Sequence, residues 1–190
     1  MKADGVRRVA VQPTLLLGGI EYERLLRVVQ GCTGLCAATG KPLIAGQEDC
    51  EALASAIMAE HPLVQEEALL LMGHGTEHAA NHVYHALQEA FDKKGYRGFI
   101  GTVEGEPSFM DAVARLTASA SERARLLPLM FVAGEHAKND MAGEQEGSFL
   151  TCVREAGISA HPVLRGLGES EAIRALYVRR VETALREVER

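Results

Sequence analysis

Leu69-Leu70-Leu71-Met72-Gly73-His74-Gly75-Thr76-Glu77-His78 is an apolar run that stops on a histidine held between two glycines. A short apolar run bounded by glycine reads as a buried parallel strand. Ligands of open α/β sheets bind just past the carboxyl ends of such strands, which puts His74 at a cleft. Glycine on either side removes the Cβ atoms that would crowd the ring and lets the backbone turn sharply. The same residues are also compatible with a plain turn, so the motif alone leaves both readings open.

On both sides of this run, apolar segments alternate with amphipathic ones. The pattern predicts strands over 8–17, 42–45, 68–72, 98–103, 125–132 and 159–164. Helices are predicted over 22–36, 49–61, 77–94, 108–120, 147–156 and 170–188. Such alternation implies right-handed crossovers and parallel sheets. The chain also repeats. Val11-Gln12-Pro13-Thr14-Leu15-Leu16-Leu17-Gly18-Gly19-Ile20-Glu21 overlays Leu126-Leu127-Pro128-Leu129-Met130-Phe131-Val132-Ala133-Gly134-Glu135-His136, which sets Glu21 opposite His136. Pro42-Leu43-Ile44-Ala45-Gly46 resembles Pro162-Val163-Leu164-Arg165-Gly166 in the same order. Two duplicated α/β halves follow, 1–64 and 65–190, with the first incomplete because nothing before Arg8 supplies counterparts of the strands ending at Met72 and Val103. A two-strand remnant exposes an edge and an apolar face, which predicts cover from another subunit or a weakly stable segment.

With 190 residues, 47% of them hydrophobic, the chain can bury a core. Its net charge of −6 lacks the basic footprint of a nucleic-acid binder. No apolar run approaches a membrane span, and the polar start Met1-Lys2-Ala3-Asp4-Gly5 has no signal-peptide core, so a cytoplasmic location is the default. Cys32, Cys36, Cys50 and Cys152 form no C-x-x-C pair and read as reduced, mostly structural thiols. No G-x-S-x-G elbow, Walker loop or haem-attachment motif is present, so neither a nucleotide nor a redox cofactor is expected.

Three polar residues lie just beyond predicted strands of the second half: His74, Glu104 and His136. Parallel strands end on one edge, so these side chains can converge on a mixed nitrogen and oxygen site for cobalt, iron, nickel or zinc. Beside His136, Glu135, Asn139 and Asp140 either orient the ring or cap and solvate a helix start. Glu104 has an alternative as a helix-dipole partner, and for Glu106 that reading is preferred. His78 is one turn from the glycine turn and can line the cleft. His82 and His85 read as a polar helix stripe, and His61 and His161 belong to connections. Gly166-Leu167-Gly168 can floor a site for a planar ligand.

These segments together resemble the class II tetrapyrrole chelatases, nearest to the branch that inserts Co2+ into sirohydrochlorin in anaerobic cobalamin biosynthesis. The carrying residues are Val9-Ala10-Val11-Gln12 with Gly19-Ile20-Glu21-Tyr22-Glu23, Met72-Gly73-His74-Gly75, and Val103-Glu104. Further on come Pro128-Leu129-Met130, Val132-Ala133-Gly134-Glu135-His136-Ala137, Asn139-Asp140-Met141 and Gly166-Leu167-Gly168-Glu169. The resemblance implies a chelatase-like fold, two similar parallel-sheet α/β halves facing a cleft for the macrocycle. It implies His74, Glu104 and His136 as metal ligands, with His74, His136 and Glu21 as the groups that carry the reaction. Members of that family begin with a further strand and helix unit, which this chain is expected to lack ahead of Arg8, and Leu15-Leu16-Leu17 stands where relatives carry a histidine. An iron or nickel chelatase, or a non-catalytic metal or tetrapyrrole carrier, are the alternative readings. A homo-oligomer is a further expectation.

Overall fold

The computed structural model describes residues 5–189; the polar start at Met1–Asp4 lies outside them. Two parallel sheets are present. β1 (Arg8–Val11) pairs with β2 (Cys36–Thr39), and a four-stranded sheet runs in the order β4 (Gly98–Thr102), β3 (Glu67–Gly73), β5 (Arg123–Pro128), β6 (Ser159–Pro162). Six helices connect them: α1 (Ile20–Gln30), α2 (Gln47–Glu60), α3 (His82–Lys93), α4 (Phe109–Ala118), α5 (Phe149–Glu155) and α6 (Glu171–Glu189).

β3 is the centre of the larger sheet, and its alternation divides the core. Leu69 and Leu71 face α2 and α3 through Leu53, Ile57 and Leu87, while Leu70 and Met72 face α4 and α5 through Leu116, Leu150 and Val153. Leu69, Leu70, Leu71 and Met72 are all fully buried. Each such side chain contributes roughly 1.5–3 kcal/mol of burial, so the run that sets the histidine's position is also the most strongly anchored strand.

The two ladders begin in matching register at the overlaid positions. Arg8 stands opposite Cys36 at the start of one ladder, and Arg123 opposite Ser159 at the start of the other. The second matched segment, however, is displaced from the expected one. Leu43 and Ile44 donate backbone bonds to Leu15 and Leu16, just as Leu167 and Gly168 donate to Met130 and Phe131. Pro42-Leu43-Ile44 therefore corresponds to Gly166-Leu167-Gly168, not to Pro162-Val163-Leu164.

The strand expected over 42–45 is accordingly absent. Pro42 has no N–H to give a ladder, and the N–H groups after it close the loop on 15–16 instead. The strand lies earlier, at Cys36–Thr39, and begins on the last residue of the helix expected over 22–36. β1 likewise stops at Val11, ahead of Pro13.

The last helix of each half crosses to the other sheet. α2 closes the face of the four-stranded sheet, while α6 packs on β1 and β2. Tyr177 on α6 donates to Leu15 O at 3.2 Å, Arg180 donates to Leu43 O at 3.2 Å, and Arg180 also pairs with Asp49 on α2. One face of the small sheet is therefore covered by α6 of its own chain. Helices α2 and α6 thus pack across the boundary expected at 64–65, each on the sheet of the other half.

Candidate metal site

His74 follows the last residue of β3, and His136 lies further along the segment after β5, at the start of the turn Ala137–Met141, so the ends of adjacent parallel strands lead both to one edge. Their rings meet edge to face, with centroids 4.8 Å apart and planes at 86°. Both residues are exposed to solvent at that edge.

Each ring is held by its Nδ1. That of His74 lies 3.2 Å from Gly75 O, and a carbonyl can only accept, so Nδ1 carries the proton. That of His136 donates to Asp140 Oδ2 at 2.6 Å. Among the described residues neither Nε2 has a partner, and both are left as lone pairs, the form in which imidazole binds a metal or takes a proton. The contact with Asp140 crosses a single π-helical turn at Ala137–Met141, an element often found at functional sites. Of the acidic and amide groups near His136, Asp140 is therefore the orienting one. Glu135 instead pairs with Lys138 at 3.1 Å. Asp140→Ala is expected to weaken Co2+ binding roughly tenfold or more, measured by titration of the protein without tetrapyrrole; unchanged affinity removes the orienting role.

The loop after β4 is locked to the histidine loop. Val103 N–H donates to Gly73 O at 3.1 Å and Glu104 N–H donates to His74 O at 2.8 Å. Gly75 adopts φ +81°, and a Cβ there would overlap the carbonyl of Glu104. Gly75 N–H donates to Tyr84 Oη at 3.3 Å, and Asn81 ties both loops by accepting from Thr76 N–H and donating to Glu106 O. Burial raises the Tyr84 pKa, so the hydroxyl stays neutral in this role. Sequence reading missed Tyr84 and Asn81, because one sits inside an amphipathic helix and the other looks like an ordinary helix start.

Glu104 is thus beside His74 through its backbone, while its side chain is exposed. Among the described residues no three His, Cys, Asp or Glu side chains close to metal-binding spacing; of the three expected ligands, the two imidazoles are the ones brought together. Glu106 serves the following helix, accepting from Ser108 N–H at 3.0 Å. Ser108 and Asp111 complete a capping box there.

Glu21 occupies the exposed first turn of α1. Two residues on, Glu23 Oε1 meets His78 Nε2 at 3.2 Å. His78 Nδ1 accepts from Ala80 N–H at 3.0 Å, so Nε2 is the donor to Glu23. This contact joins α1 to the turn after His74, which places the helix start carrying Glu21 alongside the histidine loop. Gly166 and Gly168 have no open floor above them: a Cβ at either would strike Phe131 or its neighbours, so these glycines admit a close backbone approach. The cysteines are free thiols, Cys50 buried and Cys32 and Cys36 exposed. Among the described residues no helix is long and apolar enough to cross a membrane.

The fold is shared with SirB of Bacillus subtilis. The Fe3+ form matches at TM-score 0.64 with 15% identity, over 96% of this chain and 74% of that one. The cobalt complex of the SirB sirohydrochlorin chelatase from subspecies spizizenii matches at 0.56 with 13% identity, over 97% and 72%. The sirohydrochlorin cobaltochelatase of Salmonella typhimurium is 36% identical over 188 residues, covering 97% of this chain and 71% of that protein. Sirohydrochlorin cobaltochelatase CbiKC of Nitratidesulfovibrio vulgaris is 34% identical over 183 residues, covering 93% of this chain and 65% of that protein. The sequence model of the cobalt chelatase (CbiK) family matches residues 1–186, and with these relatives the chain belongs to that family.

Proposed function

We propose that the chain is a sirohydrochlorin cobaltochelatase, inserting substrate Co2+ into the macrocycle with release of two pyrrole protons. The observation that carries this reading is the pair of edge-to-face imidazoles with both Nδ1 atoms engaged and both Nε2 atoms free.

Insertion requires that a hydrated ion lose water and that two N–H groups lose protons. His74 and His136 supply neutral nitrogen donors suited to a borderline divalent ion, and Glu104, on the loop bonded to His74, supplies the oxygen ligand when its side chain turns inward. A neutral histidine Nε2 that has handed over the metal is then placed to accept a pyrrole proton. Glu21, on the helix start opposite, takes the second proton. Asp140 keeps the His136 ring in one tautomer throughout.

Steady-state assay of the purified chain with metal-free sirohydrochlorin and Co2+, Fe2+ or Ni2+ tests the reading. Cobalt insertion with turnover is the expected result. Turnover only with iron or nickel selects the other chelatases, and binding of metal and tetrapyrrole without turnover selects a carrier.

A further inference from the structure

A second recess lies apart from the histidine pair, between the loop after β2 and the start of α3. It is a cavity of about 440 Å³, within the roughly 300–1,000 Å³ of small-molecule sites. Tyr22, Pro42, Ile44 and Val83 give it apolar walls suited to the flat body of a ring, and Lys41 and His82 are its basic side chains. No carboxylate lines it. Its rim toward the histidine loop is the turn at Ala79–Asn81, directly after His78. Cys50 lines the floor, and burial, with help from Asp49, raises its pKa to about 11.

Lys41 is held in place by its backbone, whose carbonyl accepts from Gln12 Nε2 at 3.0 Å. Its ammonium has no partner among the described residues. Other cations at the strand ends are committed: Lys138 to Glu135, Arg165 to Glu60, and Arg174 to Gly168 O. His82 Nδ1 is spent on Ala79 O at 2.8 Å, which leaves only its Nε2 toward a ligand.

Sirohydrochlorin is ringed with acetate and propionate carboxylates, and the chain that binds it carries a net charge of −6. Such a substrate needs a local cation to offset the like-charge repulsion. We infer that this cavity receives one acid-bearing pyrrole corner of the macrocycle, with Lys41 as the anchor for a peripheral carboxylate. The inference rests on the reading of sirohydrochlorin as substrate and assigns the residue that orients it.

The test is a titration of metal-free sirohydrochlorin into the full chain, followed by absorbance, beside a Co2+ titration without tetrapyrrole. Lys41→Ala is expected to raise the sirohydrochlorin Kd about threefold and Lys41→Glu about tenfold, with Lys41→Arg near wild type and Co2+ affinity unchanged in all three. Ala86→Leu, which fills the cavity from α3, weakens tetrapyrrole binding without any change of charge. Wild-type binding with Lys41→Glu and Ala86→Leu both unaffected overturns this inference alone. Failure of the wild-type chain to bind sirohydrochlorin overturns the functional reading as well.

Discussion

His74→Ala is expected to lower cobalt insertion by about 10²- to 10⁴-fold, the range for loss of a positioned acid–base or donor group. The ring is exposed and its neighbour His136 is held independently by Asp140, so the fold should survive with an unchanged melting midpoint. The loss then belongs to the chemistry and not to stability. Single-turnover insertion and equilibrium Co2+ binding separate its two roles. A fall in both marks His74 as a metal donor, and a fall in insertion with metal affinity retained marks it as the proton acceptor. Insertion at the wild-type rate removes His74 from the site.

Gly75→Ala is expected to damage stability and activity together. The positive φ at this position is tolerated by alanine only with strain, and the added Cβ collides with the Glu104 carbonyl. Relief requires the loop after β4 to move away, which breaks the bonds from Val103 to Gly73 and from Glu104 to His74. The cost is about 3 kcal/mol, read as a lower urea midpoint. Insertion is expected to fall at least about tenfold even where the protein is folded, because the loop bearing Glu104 is displaced. An unchanged midpoint would show that the loop accommodates the methyl group.

The two variants probe different parts of the same strand end. In the proposed site His74 supplies the donor atom, and Gly75 supplies the room in which the neighbouring loop is bonded to it. Asp140 adds a third contribution, since its bond to Nδ1 leaves the Nε2 of His136 as the nitrogen open to a ligand. The Glu23–His78 contact adds a fourth by fixing the start of α1 against the histidine loop.

The larger sheet was legible because its strands are apolar runs closed by glycine or proline. Leu69–Met72 leaves little choice of secondary structure, and the His74 position follows from it. The small sheet was less legible. Cys36-Ala37-Ala38-Thr39 has neither branched bulk nor alternation to mark a strand, while Pro42-Leu43-Ile44-Ala45 has the composition of one and forms a loop. The repeat was visible in Pro13 and Pro128, but its second segment was matched through proline, when the conserved feature is a pair of backbone hydrogen bonds from Leu43-Ile44 and Leu167-Gly168.

From the residues alone, the chain was bound to fold as alternating strands and helices, with His74, Glu104 and His136 at strand ends, because local periodicity and chain order dictate both. Only the tertiary structure decided that α2 and α6 exchange sheets, that Asp140 and not Asn139 orients His136, and that Lys41 stands unpaired beside a cavity. Those outcomes depend on which groups distant in sequence satisfy one another's hydrogen bonds and bury one another's apolar faces, and no local pattern encodes that competition.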